Sequence, residues 1–356
     1  MADLFWPGDD RAGDHFTSES FLWAMVDVEA DWLGRPLEVP DHVEWLSNEA
    51  ELGGNPVIGL VELLREQDAS VHRGLTSQDV VDSALMRMAE AAVESLRTDL
   101  DSLIARLADL AATHRDTPMV ARTLTQHAVP TTFGFRVAAW LTAALDADEA
   151  LADLDFPDQI GGAAGTRAAI VELGRALPPG IPRWHTTRAP VTRIGDALVG
   201  ATDACARIAN DVVTMSRPEI GELSEGAGGG SSTMPGKANP VLSVLVRRAA
   251  LTTPQLGATL HLAAAQQVDD RADGGWHAEW ATLRDLVRRT LVAASQTDDL
   301  VAGLQVHADR MTATLEAAGD AVLAEQRSMT DHPSPTYLGD AAAYVDAVVS
   351  RAKERS

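Results

Sequence analysis

Cysteine, lysine and long apolar runs are the scarcest features of this 356-residue chain. Its one cysteine, Cys205, excludes a disulfide framework and any multi-cysteine metal site, and reads as a small core hydrophobe in a reducing compartment. Lys and Arg total 29 against 52 Asp and Glu, a net charge of −23, which excludes non-specific binding to nucleic acid. Lysine is almost absent: apart from Lys353 near the C-terminus, Lys237 is the only one. The longest uncharged stretch, residues 249–268, holds Thr252, Thr253, Pro254, Gln255, His261, Gln266 and Gln267 and is too polar to span a bilayer. The N-terminus is acidic and broken at Pro7 and Gly8, with neither the basic start nor the apolar run of a signal peptide. The expectation is a soluble cytoplasmic protein that engages no membrane and no nucleic acid. No HExxH, EF-hand or paired-cysteine pattern occurs, so no metal is expected.

Apolar residues recur every three or four positions and almost never alternate, which predicts an all-α fold. The clearest helix covers 79–114, with Val80, Leu85, Met88, Ala92, Leu96, Leu100, Leu103 and Leu107 on one face and no Gly or Pro inside. Further long helices are predicted over 130–145, 193–215, 240–267 (interrupted by Pro254) and 277–304. A shorter one covers 16–33, opening at Thr17 or Ser18, and a last one covers 339–351. Long helices with a single apolar stripe bury little alone, so a lengthwise bundle completed by other subunits is expected. Three regions follow: an N-terminal helical domain (1–78), a central elongated bundle (79–308) and a small C-terminal helical region (309–356).

Residues 221–240, GELSEGAGGGSSTMPGKANP, hold six of the 27 glycines between two predicted helices. A connection of this kind is either functional or a disordered linker. Adjacent hydroxyls at Ser231 and Ser232, then Lys237 and Asn239, then Pro240 opening a helix, favour function. Glycine backbone N–H groups, a helix N-terminus and one ammonium suit a carboxylate or an enolate-like oxyanion. A P-loop is excluded, because Ser231 and Ala238 stand where Gly and a hydroxyl residue are needed. Gly161, Gly162 and Gly165 lack the dinucleotide spacing.

GSSTMPGKANP at 230–240 resembles the signature loop of the fumarase/aspartase superfamily, whose members make or break C–O or C–N bonds beta to a carboxylate. His72 with TSQD at 76–79, and ARTLTQHAVPTTFG at 121–134, resemble two further regions of that superfamily, in the right order. GNPVIGL (54–60), QIGGAAGT (159–166), WHTTR (184–188), GGWHAEW (274–280) and YLGDA (337–341) are similar to its 3-carboxy-cis,cis-muconate cycloisomerase branch. The resemblance implies a homotetramer with sites shared between subunits, a small tricarboxylate substrate, and no metal or organic cofactor. It implies lactone formation through an aci-carboxylate, a step in protocatechuate breakdown. Ser231 would move the proton, while Lys237 and Asn239 hold the accumulating charge, with His127 as the nearest imidazole. Substrate contacts are implied for His72, Thr76, Ser77, Thr123, Gln126, Arg188, Ser232, Met234 and Arg271. On residue types alone, Thr76 or Ser77 reads as a helix cap sooner than as a ligand site; the resemblance is what assigns them to substrate.

Two departures from the superfamily stand out. Fumarase and adenylosuccinate lyase carry His after the Arg-Thr of the second region, where this chain has Leu124. A carboxylate leaving group is a far weaker base than an amine and has less need of a general acid, so Leu124 agrees with the cycloisomerase branch. The chain is also shorter than the enzymes it resembles, around residues 34–45, 144–159 and 329–332. Two alternatives stand beside this reading: another superfamily lyase, adenylosuccinate lyase-like, and a catalytically silent structural subunit.

Overall fold

The computed structural model describes residues 3–177, 182–226, 228–230, 233–234, 236–271 and 273–355. In chain order its elements are α1 (Ser18–Leu33), α2 (Val43–Gly53), α3 (Val57–Arg65), α4 (Ser77–Thr113), β1 (Pro118–Thr123), β2 (Gln126–Thr132), α5 (Phe133–Ala152), α6 (Ala168–Glu172), α7 (Ala189–Met215) and β3 (Leu223–Glu225). They continue with α8 (Val241–Ala265), α9 (Gly275–Ala302), β4 (Leu304–Val306), α10 (Ala308–Ala318), α11 (Ala324–Arg327) and α12 (Ala341–Glu354). The fold is all-α, with two short antiparallel pairs, β1–β2 and β3–β4.

The apolar stripe of α4 is buried as the spacing requires: Val80, Leu96, Leu100 and Leu107 have no exposed surface. α1 opens where a hydroxyl can cap it, Thr17 accepting from the Ser20 N–H. α8 continues through Pro254. One expected helix start is corrected. Residues 130–132 finish strand β2, and α5 begins only at Phe133, because Pro130 pairs with Val120 across the β1–β2 ladder.

Two compact units form, divided differently from the three expected regions: Met1–Ser95, Asp153–Val199 and Thr252–Val292 in one, and Leu96–Ala152, Gly200–Leu251 and Ala293–Ser356 in the other. In the first, the buried Glu29 carboxylate accepts the His72 N–H at 3.1 Å and pairs with His72 Nδ1 at 2.5 Å, tying α1 to the chain ahead of α4. In the second, the residues after 308 do not stand apart. Val322 and Leu323 pack with Val120 of β1, supported by Leu315 and Ala318. α12 lies on α5, where the Tyr344 and Phe135 rings sit 5.3 Å apart and Tyr344 shares a hydrogen bond with Thr142. No described helix is long and apolar enough to cross a membrane.

Candidate active site

The start of α4 organises the candidate residues of the first unit. Asp79, fully buried in the first turn, accepts the N–H of Thr76 at 3.0 Å, the reciprocal half of a capping box. The same carboxylate accepts the N–H groups of Gly161 and Gly162 at 2.8 and 2.9 Å, so it holds the QIGGAAGT segment against the helix. Ser83 Oγ donates to the Gln159 carbonyl and accepts its N–H, and Gln78 Nε2 donates to the His185 carbonyl. Gly161 is obligatory here, because a Cβ would fall 1.8 Å from His185 Cε1. Arg271 donates to Thr76 Oγ1 at 2.6 Å and to the Ala163 carbonyl at 3.1 Å, so Thr76 and Arg271 are brought together. Ser77 is half-buried beside them, and its hydroxyl makes no hydrogen bond among the described residues.

Arg188, expected to meet substrate, is used otherwise. Its side chain has no exposed surface and lies between Asp82 and Glu279. Nη1 and Nη2 donate to the two Asp82 oxygens at 2.8 and 2.9 Å, while Nε and Nη2 reach Glu279 at 3.0 and 2.6 Å. Nη1 also reaches the Trp184 and His185 carbonyls, and the guanidinium stacks 4.6 Å over the Trp184 ring. Burial opposes its charge, yet Asp82 and Glu279 hold it above the ordinary arginine value. With every nitrogen donating, Arg188 joins α4, α7 and α9 and has nothing left for a ligand. Sequence reasoning missed Asp79, Asp82 and Glu279. The available signal was an ionisable residue inside an otherwise apolar face, as in VVDSAL at 80–85.

In the second unit ARTLTQHA forms the tip of the β1–β2 hairpin. Leu124 and Thr125 make its two-residue turn, both with positive φ (47° and 71°), and Thr123 pairs with Gln126. Leu124 is 96% exposed. Arg122 pairs with His127 in the next rung, so the pleat puts these two on the face opposite Thr123 and Gln126. His127 is therefore not brought together with the two substrate candidates beside it. Arg122 is held by a bidentate pair with the buried Glu222 at 2.8 and 2.9 Å.

The signature loop leaves β3 and returns to α8. Its arms are joined by Gly229 and Asn239, each donating its N–H to the other's carbonyl at 2.8 Å, and Asn239 Nδ2 donates to the Gly230 carbonyl. Gly236 (φ +82°) lies in a turn in which the Lys237 N–H donates to the Met234 carbonyl. Lys237 and Met234 are exposed on this turn; Ser231 and Ser232 lie outside the described residues. The start of α8 departs from expectation. The N–H groups of Leu242 and Ser243 donate to the Glu225 carboxylate at 3.1 and 2.8 Å, and that of Val241 to the Asn239 carbonyl. The helix N-terminus is thus already occupied by an internal anion, the Glu225 carboxylate. Glu222 and Glu225 were also missed; their signal was the acidic spacing of GELSE just ahead of the glycines. Among the described residues no group of three or more His, Cys, Asp or Glu is placed to hold a metal ion.

Comparison with known proteins agrees with this architecture. A family model described as "Lyase" matches residues 28–252. Nitrosuccinate lyase of Streptomyces davaonensis is 41% identical over 303 residues, covering 76% of this chain and 64% of that protein. The 3-carboxy-cis,cis-muconate cycloisomerase of Bradyrhizobium diazoefficiens is 39% identical over 304 residues, covering 79% and 67%. The matched stretch thus spans about two thirds of the length of these relatives. The crystal structure of 3-carboxy-cis,cis-muconate lactonizing enzyme from Pseudomonas putida superposes with a TM-score of 0.77 at 28% identity, covering 97% of this chain and 95% of that one. With its fold, its family match and its similarity to enzymes of this type, the chain belongs to the lyase family of the fumarase/aspartase superfamily.

Proposed function

We propose that this chain is a cycloisomerase that interconverts 3-carboxy-cis,cis-muconate and 4-carboxymuconolactone. In the ring-opening direction, a proton leaves the carbon next to one carboxylate and its electron pair delocalises into that carboxylate. The ring C–O bond then breaks, and the departing oxygen is itself a carboxylate. The dianionic intermediate is the species to stabilise, and Lys237 with the amides of the signature loop supplies fixed positive potential for it. Ser231 is assigned the proton, by resemblance of the loop; Thr76 and Ser77 at the start of α4, Arg271 ahead of α9, and Thr123 and Gln126 at the hairpin tip are assigned to the remaining carboxylates. The observation that carries the reading is Leu124, an exposed aliphatic side chain at the hairpin tip where related lyases place an imidazole. A carboxylate departs without a general acid, whereas an amine does not.

The 41% identity to nitrosuccinate lyase favours a second reading in which the substrate is a nitro-substituted succinate. Loss of nitrite obeys the same logic, since nitrite too is a weak base. Both readings place the enzyme in a homotetramer with sites completed by neighbouring copies. Supporting this is an exposed apolar stripe along one helix, α8, formed by Val244, Leu251 and Leu262 at 52%, 73% and 66% exposure. The place proposed for the reaction is aromatic-acid breakdown in the cytoplasm.

The test is an ultraviolet assay of purified protein with the conjugated triacid and, separately, with nitrosuccinate. Loss of the diene signal with wild type, and a fall of at least ~100-fold in kcat for Lys237→Met with the oligomer intact, is the expected result. Turnover of nitrosuccinate alone selects the second reading. Inactivity on both, restored by mixing with a longer relative, would make this chain a structural subunit.

A further inference from the structure

The second unit contains a cleft of about 640 Å³ lined by none of the residues assigned to the proposed reaction; of those the resemblance implied, it holds only His127. Its walls are the Arg122–His127 face of the hairpin, the end of α7 with the turn after it, and α10. The volume is in the range of small-molecule sites, roughly 300 to 1,000 Å³. Four arginines line it, in a chain of net charge −23. Two are committed: Arg122 to Glu222, and Arg136 to Asp211, which also accepts from Trp140 Nε1 and pairs with Arg207.

The other two are not. Arg217 is exposed at the cleft and forms no ion pair among the described residues. Arg310 donates Nε to the Ile220 carbonyl at 2.9 Å and Nη2 to that of Glu219 at 3.4 Å, which fixes its orientation without neutralising it. Arg136 Nε, on another wall, is buried with no hydrogen-bond acceptor among the described residues. Asp211 is consumed by its own cations, so the exposed Glu219 is the single lining carboxylate set against two uncompensated guanidinium groups. Met215, Ile220 and Ala317 are apolar members of the same lining.

The geometry points to a second ligand site here, one that takes a small organic carboxylate with an apolar body. Arg217 and Arg310 hold the carboxylate, as planar forks suit, and the apolar lining receives the body. The site is independent of the reaction assigned above. It lies on the hairpin face turned away from Thr123 and Gln126, so a ligand bound there touches the same two strands that carry those residues.

Titration calorimetry of the full chain with benzoate as probe tests this. Wild type should bind saturably, one benzoate per chain. Arg217→Glu, which reverses an unpaired exposed charge, and Ala317→Trp, which takes up cleft volume from an exposed lining position, should each weaken binding about tenfold or more, with urea midpoints unchanged. Inorganic phosphate, which lacks an apolar body, should bind more weakly than benzoate. Lys237→Met should leave benzoate affinity as in wild type, which separates the cleft from the signature loop. Absence of saturable binding, wild-type affinity in both cleft variants, phosphate binding as tightly as benzoate, or loss of binding in Lys237→Met would each overturn the proposal.

Discussion

A fully buried guanidinium persists only where its charge is answered, and Arg188 is answered twice, by Asp82 and Glu279. Burial already pushes the Glu279 carboxyl upward, against the pull of Arg188, so removing the cation strands two carboxylates with little beyond the Trp276 indole N–H on Asp82. Arg188→Met should cost about 3–5 kcal/mol of unfolding free energy, read from urea denaturation, and the Asp82→Asn/Glu279→Gln pair added to it should recover part of that. A substrate contact would instead raise KM and leave the urea midpoint unmoved. Arg188 was a natural candidate in sequence, because an arginine in a motif looks the same whether it meets a ligand or a carboxylate of its own chain. What the sequence could not display is that Asp82 and Glu279, 106 and 91 residues away, close on it.

At the scale of elements, the long helices were legible and the hairpin was not. α4, α7 and α9 follow a 3.6-residue apolar period, unbroken by Gly or Pro in α4 and carried through Gly195 and Gly200 in α7, so their ends fell within a few residues of expectation. ARTLTQHAVPTT carries neither strict alternation nor an Asn-Gly turn, and its Pro130 resembles a helix start. The strands exist because β1 and β2 bury Met119, Val120 and Thr132, and because Gly134 lets α5 start close against the end of α4, where any Cβ would fall 2.6 Å from the Arg115 Cα and the His114 carbonyl oxygen. The turn is bought with two non-glycine residues at positive φ, where Asn-Gly would sit without strain. Leu124→Asn with Thr125→Gly should therefore stabilise the fold by about 1 kcal/mol, measured as a shift in the urea midpoint with unchanged slope. A loss of turnover alongside that gain would place the hairpin tip in the reaction, where stored strain is retained for function. The signature loop was legible in its composition; that Glu225 occupies the start of α8 was not, because a capping carboxylate sixteen residues before the helix leaves no local pattern.

For the whole molecule, acid sensitivity follows from one histidine in each unit. His15 shares a hydrogen bond with Ser95, and burial lowers its pKa below the ordinary 6.5; Arg288 lowers it further and Asp14 opposes. His114 shares one with Thr117, lies edge-on to Phe133 at 5.3 Å, and is lowered by burial. A histidine lowered by folding is neutral in the native state while its unfolded counterpart takes up a proton. The unfolded state then binds more protons, and stability rises with pH. Their contribution is fully present above 6.5 and is lost as pH falls through the lowered native values. Asp346, lowered mainly by its hydrogen bond to Arg115, acts later: its contribution is present above 3.8 and lost only as pH drops below that. The wide acidic excess works against the histidines, since protonation relieves self-repulsion, so wild-type stability alone mixes the two effects. The difference between wild type and His15→Gln/His114→Gln isolates them. Urea midpoints from about pH 8 to about pH 5 should fall more steeply for wild type than for the double variant, and curves that stay parallel through that window would show that neither histidine is coupled to folding.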